Sequence, residues 1–230
     1  MSTPAAVPMA DSRDMYVIHS AFRREFPAAP ALVRAVAPGD TAAVNRVADH
    51  ILLLTGVLNM HHTGEDKLVW PKLKERGPAE IEPLVATMER QHEALHGGLS
   101  GVEAGVAAWR SSGSPADQEA VAVALETLIP TMMEHMAAEE AHLLALIDKY
   151  LTHDEWAEVG AEGMAKTPKS RLPLIFGMVL KDGEPEHVES FKTLIPAPAW
   201  FVLSRLGPRA YARYARKLTV GLSLPAPTKP

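Results

Sequence analysis

Several histidines and glutamates of this chain stand one helical turn apart, a spacing at which two side chains can bind one metal ion. In an α-helix, positions i and i+4 lie on one face with Cβ atoms about 6 Å apart. Such a pair can ligate the same ion, or neighbouring ions, without distorting the backbone. Together the candidates supply five histidines and two carboxylates, enough for a pair of metal ions. They are His19 alone, His61 with Glu65, His92 with His96, and His135 with Glu139.

The composition narrows the chemistry available to these residues. The 230 residues include no cysteine, which excludes disulfides, thiolate-held clusters and a cysteine nucleophile. A net charge of −5 argues against a general nucleic-acid binder. The beginning of the chain lacks the features of a signal peptide, and the longest apolar stretch, residues 51–60, is too short to span a bilayer. We therefore expect a soluble cytoplasmic protein with no nucleic-acid or membrane partner.

Hydrophobic periodicity is helical along the chain, and strand signals are nearly absent. Four segments carry apolar residues at alternating steps of three and four, as inward-facing positions of a helix bundle do. Pro27 is expected to interrupt the first helix, Asp40 to cap the second, and Ser114 to cap the fourth. The pattern predicts an all-α fold, an up-down four-helix bundle followed by a C-terminal extension of short helices.

The candidate ligands fall on or beside these apolar seams. The regular alternation selects His61 and Glu65 over the neighbouring His62 and Asp66, which are each one residue off the seam, and it places His96 beside the seam. A carboxylate buried in a bundle core is costly unless it is paired with charge or bound to metal. Glutamates on apolar seams therefore indicate a metal site.

Three parts of the chain are expected from the change in pattern along it. Residues 1–10 form a flexible tail, residues 11–151 the helical bundle, and residues 152–230 an extension with a disordered end. Thr152 and Glu155 have the spacing of a capping box, which would open the first helix of the extension. We expect the extension to pack on the outside of the bundle.

One alternative interpretation is a zinc metallopeptidase. His92, Glu93 and His96 match the H-E-x-x-H pattern, in which two histidines bind zinc and the glutamate activates water. Glu93 points away from the apolar seam, however, and the pattern leaves the other candidate ligands unexplained. No strand signal supplies the sheet edge on which such peptidases align a substrate.

A second alternative is a ferritin-like di-iron site, because Glu89 with His92 and Glu139 with His142 both match Glu-x-x-His. That fold places the motifs on its second and fourth helices. Here they fall on the third and fourth, and His19, His61 and His135 would have no role.

The full ordered set resembles the hemerythrin HHE cation-binding family over about residues 10–151. The residues that carry the resemblance are His19, the segments HHTGEDKLVWP and QHEALH, and EHMAAEE. The resemblance implies an up-down four-helix bundle holding two non-haem iron ions, bridged by carboxylates and open to an oxo bridge. It implies terminal ligation by the histidines and bridging by the two glutamates, namely His19, His61, His92, His96 and His135, with Glu65 and Glu139.

One departure from the family concerns the last helix. Oxygen-carrying hemerythrins place an Asp five residues after the last histidine, whereas this chain has Glu139 at +4 from His135 and Glu140 at +5. On a regular helix the +4 position shares the face of His135, which favours Glu139, although a local π-bulge would bring in Glu140. The departure argues against dedicated oxygen transport.

The expected function is reaction of such a centre with a small oxidant. Dioxygen, peroxide and nitric oxide are the candidate small ligands, in redox handling or sensing. Two classes stay open, a di-iron oxidoreductase and a non-catalytic oxygen- or iron-binding sensor. Imidazole and carboxylate ligands alone do not distinguish iron from zinc, manganese or copper.

Overall fold

The computed structural model describes residues 7–222, and the regular structure in that range is helical. The prediction of an all-α chain is confirmed. The helices are α1 (Asp14–Arg34), α2 (Thr41–Leu68), α3 (Trp70–Arg76), α4 (Glu82–Ser112), α5 (Pro115–His142), α6 (Leu144–Tyr150), α7 (His153–Lys166), α8 (Leu172–Leu180), α9 (Pro185–Thr193) and α10 (Ala197–Leu218), with a 3₁₀ turn over Ala79–Ile81.

The four long helices that carry the candidate ligands pack in a ring. Helix α1 contacts α2 and α5, and α4 contacts the same two helices from the other side. Their apolar seams contribute to two clusters, one including Phe22 and Leu58 and the other including Met15 and Met88. On α1, His19 lies between Met15 of one cluster and Phe22 of the other. On α4, His92 lies between Met88 and Leu95.

Local capping signals in the sequence hold in the structure. Asp40 accepts a hydrogen bond from the Ala43 amide at the start of α2, and Ser114 accepts one from the Asp117 amide at the start of α5. At the start of α7 the predicted capping box is complete. Because each cap satisfies amides that the first turn leaves free, these residues fix where the helices begin.

Helix α1 continues through Pro27, so the predicted interruption is wrong. Proline removes one backbone hydrogen bond and usually bends or ends a helix. Here Pro27 is exposed, whereas Phe26 and Ala29 on either side are fully buried in the same core. Burial of these neighbours stabilises the helix on both sides of the proline, which local propensity does not take into account.

The C-terminal part is larger than a set of short helices, because α10 extends over 22 residues. Helix α7 packs on α2, helices α8 and α9 pack on α1, and α10 packs mainly on α8. Helices α8 and α10 cross closely at Gly177 and Gly207. This approach requires glycine, because a Cβ on either residue would overlap the backbone of the opposite helix. Within residues 7–222, no helix is both long and apolar enough to cross a membrane.

The beginning of the described chain is held against α7. The Ala10 amide donates to the Leu151 carbonyl at 3.0 Å, and the His153 amide donates to the Pro8 carbonyl at 2.9 Å. Residues 8–10, expected in the flexible tail, therefore pair with the segment before α7. The rest of that tail up to residue 6, and the predicted disordered end at residues 225–230, lie outside the described residues.

Candidate metal centre

The four long helices bring a layer of histidines and glutamates into the middle of the core. Its members come from α1, α2, α4 and α5, and all but His61 have no accessible surface. The His61 side chain is 9% exposed. The layer comprises six of the seven predicted ligands and one further histidine, namely His19, His61, His62, Glu65, His92, His135 and Glu139.

The histidine Nε2 atoms converge in two pairs. Nε2 of His92 lies 3.1 Å from Nε2 of His135, and Nε2 of His19 lies 3.3 Å from Nε2 of His61. Ring nitrogens that converge in a buried layer are positioned as ligands of a metal ion between them would be.

Ligand atoms gather in three overlapping groups, each with its atoms within 4.8 Å of one another. His62, His92 and His135 form the first group, and His19, His61 and Glu139 form the second. A third group, of Glu65, His135 and Glu139, shares one member with each of the others. Two adjacent positions for cations, connected through carboxylates, would produce this pattern.

Each buried glutamate lies between the two histidine pairs. Glu65 approaches His61 Nε2 at 3.2 Å with one oxygen and His92 Nε2 at 3.5 Å with the other. Glu139 approaches His19 Nε2 at 3.3 Å and His135 Nε2 at 3.8 Å through the same oxygen. None of the four carboxylate oxygens has a hydrogen-bond partner among residues 7–222. Buried carboxylates without such partners are expensive, and cations at these two positions would compensate for the cost.

On the first and third helices of the ring, the outer nitrogens of the histidines are held by carboxylates. His19 Nδ1 donates to Glu140 at 2.8 Å, and Arg23 pairs with the same carboxylate at 2.6 Å. His92 Nδ1 donates to Asp66 at 2.6 Å. A carboxylate behind a histidine fixes its tautomer and aims its Nε2 lone pair at the site, as in histidine-ligated metal centres.

Two further contacts complete this outer layer. The indole N–H of Trp70 donates to Asp66 at 2.9 Å, so Asp66 is itself held in place. His135 Nδ1 donates to the side-chain carbonyl of Gln91 at 3.2 Å. Orienting side chains therefore back three of the histidines from outside the layer.

His62 was not selected from the sequence, yet it is fully buried and neither ring nitrogen has a hydrogen-bond partner among the described residues. Its ring stacks on His92 with centroids 4.3 Å apart. The signal was present in the sequence, because His62 follows Leu58 by four residues and precedes Glu65 by three. A seam broader than the strict alternation would have included both His61 and His62.

His96 lies apart from the layer. Its Nε2 is 3.8 Å from Asp66, a third of its side chain is exposed, and it joins none of the three groups found in the described range. Its role as a ligand stays a prediction. Glu93, the glutamate of the H-E-x-x-H pattern, is exposed, and Nε2 of His92 faces His135. This geometry does not favour the zinc-peptidase interpretation.

The two adjacent glutamates near the end of α5, Glu139 and Glu140, lie in different environments. Glu139 has no accessible surface and belongs to two ligand groups. Glu140 is bound by Arg23 and by the outer nitrogen of His19. The arrangement favours Glu139 as the ligand and gives Glu140 the task of orienting His19. His142, the other candidate on α5, is exposed.

The electrostatics keep most of the histidines neutral. Burial lowers the pKa of His61 to about 3 and that of His135 to about 4, and it lowers the pKa of His62 well below its usual value. Burial also lowers the pKa of His19, but the carboxylates of Glu139 and Glu140 outweigh this and raise it. Neutral imidazole is the form that binds metal.

The pKa values of the two buried glutamates, Glu65 and Glu139, are shifted in opposite directions. Burial, reinforced by the negative charge of Glu139, raises the pKa of Glu65 well above its usual value. Burial acts in the same direction on Glu139, but the adjacent His19 outweighs it and lowers the pKa. Two carboxylates this close cannot both carry charge cheaply unless cations lie between them.

Comparison with known families agrees with this geometry. A family model described as the hemerythrin HHE cation binding domain matches residues 11–147. The chain belongs to this family. Searches of curated proteins and of solved structures gave no match. Membership of the hemerythrin HHE family fits the all-helical fold, and the predicted resemblance is confirmed. The family match ends within α6, so helices α7 to α10 lie beyond it.

Proposed function

We propose that the buried layer is a dinuclear metal centre and that the chain is a non-haem di-iron protein of the hemerythrin type. The observation that carries the proposal is the position of Glu65 and Glu139, each between a histidine of one pair and a histidine of the other. Carboxylates in that position are suited to bridging two ions. The arrangement of the four long helices as an up-down bundle is part of this proposal.

The structure supports a specific division of the ligands. His19 and His61 would hold one ion, and His62, His92 and His135 would hold the other, with Glu65 and Glu139 shared between them. This differs from the set implied by the family resemblance only in the second group, where His62 stands in place of His96. The donor set of imidazoles and carboxylates without sulfur fits iron.

A pair of ferrous ions held by these residues would supply two electrons, one from each ion, for the reduction of dioxygen or a related oxidant such as peroxide or nitric oxide. The protein contributes orientation and exclusion of water. Phe22, Leu58, Leu95, Met132 and Met136 are all buried around the layer, and Phe22 lies with its ring centroid 5.6 Å from that of His61. Glu140 holds the proton on Nδ1 of His19, which keeps the Nε2 lone pair directed inward.

The proposed function has two alternative forms, redox handling and sensing, and we expect either to take place in the cytoplasm. Repeated turnover distinguishes the first form from the second. We expect the iron-loaded protein to consume peroxide with repeated turnover in a stopped-flow assay that contains an added electron donor such as ascorbate, which re-reduces the iron after each two-electron reduction of peroxide to water. A sensor or store would react once. His135→Ala should abolish the reaction because it removes a member of two ligand groups. His153→Ala is the matched control, since His153 lies at the start of α7, away from the layer. A single stoichiometric reaction would contradict the oxidoreductase and favour the sensor.

A further inference from the structure

A cavity lies between the ligand-bearing helices and the C-terminal helices. Its walls come from α1 and α2 on one side, and from α7, α8 and the segment around residues 191–195 on the other. The bundle side includes Ile18, Val57 and Met60, and the C-terminal side includes Val159, Ile175 and Phe176. The expectation that the C-terminal extension only packs on the outside is therefore incomplete, because the extension forms one side of a partly open cavity.

The volume of the cavity is about 150 Å³. An apolar cavity of that size in another protein stays dry and binds benzene or xenon. A pocket of this size lined by Val, Ile, Leu, Met and Phe side chains favours an uncharged molecule about as large as one aromatic ring, because a charged molecule would lose its hydration without compensation.

Two of the polar side chains in the wall are already satisfied within the protein. Asp14 accepts a hydrogen bond from the indole of Trp156 at 2.8 Å, and Thr167 donates to the Gly163 carbonyl at 2.9 Å. The remaining polar groups of the wall are His61 and Glu65, two members of the metal layer. A molecule in this cavity would therefore meet apolar surface on most sides and the candidate ligands at one end.

We propose that this cavity binds an uncharged, apolar organic molecule of single-ring size and holds it beside His61 and Glu65. The binding site depends on α7 and α8, which lie beyond the residues matched by the family. Its role in presenting a substrate to a metal centre rests on the proposed function, whereas binding itself does not.

Two glycines on α7 offer a way to fill the cavity without straining the fold. Gly160 and Gly163 both line it, and an added Cβ meets no atom within 4 Å at Gly160 and only Met60, at 3.8 Å, at Gly163. Leucine is also a better helix former than glycine, so either substitution should stabilise α7 locally. Gly101 on α4 is the matched control, because it is helical, exposed and has open space at its Cβ.

The test is isothermal titration calorimetry of the full-length protein with benzene, with metal content measured on the same preparation. We expect saturable binding at one site per chain, and we expect Gly163→Leu and Gly160→Leu each to weaken it by roughly tenfold or more while Gly101→Leu leaves it unchanged. Thermal unfolding of each variant verifies that it is folded.

Absence of saturable benzene binding, or equal binding by the filled variants, would overturn the pocket. Binding of xenon without benzene would also overturn it, since the cavity would then be a passage for diatomic gases. These results do not depend on metal, so loss of benzene binding by a metal-loaded protein contradicts the pocket alone. Benzene binding by a protein without affinity for metal would contradict only the proposed function.

Discussion

Glu65 on α2 and Glu139 on α5 face each other across the core, and each lies between one histidine of the His19–His61 pair and one of the His92–His135 pair. Neither carboxylate has a hydrogen-bond partner among residues 7–222. Burial of two such groups lowers the stability of the metal-free fold. Cations bound beside them would compensate for this cost.

Replacing Glu65 with glutamine should therefore separate stability from metal binding. Glu65→Gln keeps the shape and removes the cost of burying an ionisable carboxyl group, whose raised pKa makes it take up a proton on folding, and the amide can donate to His61 Nε2, now 3.2 Å from Oε1. We expect the free energy of unfolding of the metal-free protein to rise by about 1–3 kcal/mol, while metal binding is lost. Urea unfolding and metal analysis measure the two effects. Glu93→Gln, at an exposed site on α4, should change neither, and a less stable metal-free Glu65→Gln protein would contradict the account.

His62 and His96 should respond differently to truncation. His62 belongs to a ligand group and is fully buried, whereas His96 joins no group and is partly exposed. We expect His62→Ala to lose at least one metal ion per chain and His96→Ala to retain both. Measurement of the metal content of each variant after gel filtration distinguishes these outcomes. The reverse result would show that the ring of His96 turns inward when metal binds and that the family pattern holds in full.

Asp66 should tune metal affinity without touching the metal. It orients His92 through Nδ1 and is held by Trp70. Asp66→Asn keeps the shape but removes the charge, so we expect metal affinity to fall by about 10–100-fold, the usual cost of such outer partners. Competition with a chelator measures the change. Asp182→Asn, at an exposed position, is the control, and an unaltered affinity of Asp66→Asn would exclude the orienting role.

The stability of the folded chain should depend on pH through Asp14. Burial raises the pKa of Asp14 from 3.8 to about 7, although the indole of Trp156 opposes the shift. Between these two values the unfolded chain has lost the proton and the folded chain retains it, so stability falls as pH rises and levels off above about 7. The loss amounts to at most about 4 kcal/mol, since each pKa unit corresponds to 1.36 kcal/mol.

The variant Asp14→Asn tests this dependence because its amide oxygen can still accept from Trp156. We expect the variant to be more stable than the parent at pH 8, and we expect this difference in the free energy of unfolding to grow as the pH rises from 4 to 7. Urea unfolding across that range provides the comparison, with the exposed Asp182→Asn again as control. Parallel profiles for parent and Asp14→Asn would show that Asp14 is ionised in the folded protein.

Local signals predicted much of the fold because they act within one helical turn. The caps at Asp40, Ser114 and Thr152 depend on a side chain and an amide three residues on, and all three hold. The passage of α1 through Pro27 could not be predicted in this way, because it depends on the burial of Phe26 and Ala29 against other helices. The length of α10 and its close crossing with α8 depend on tertiary contacts as well.

For the candidate site, periodicity located the layer but not each member. Six of the seven residues chosen from spacing come together in the structure. Strict alternation left out His62 because it allows one residue per turn, whereas two adjacent residues on α2 reach the same buried layer. The cavity beside His61 is formed in part by α2 and α7, which are separated by more than 80 residues in sequence, so no local pattern could indicate it.

Metal analysis of the purified full-length protein would show whether this layer holds two metal ions. Inductively coupled plasma mass spectrometry, combined with the optical spectrum of the same sample, gives metal identity and number per chain. We expect two iron ions per chain, with near-ultraviolet absorption from oxo-bridged iron, and we expect both features to be lost in His135→Ala. One zinc ion per chain with a featureless spectrum, or no bound metal after reconstitution with ferrous iron, would contradict this expectation.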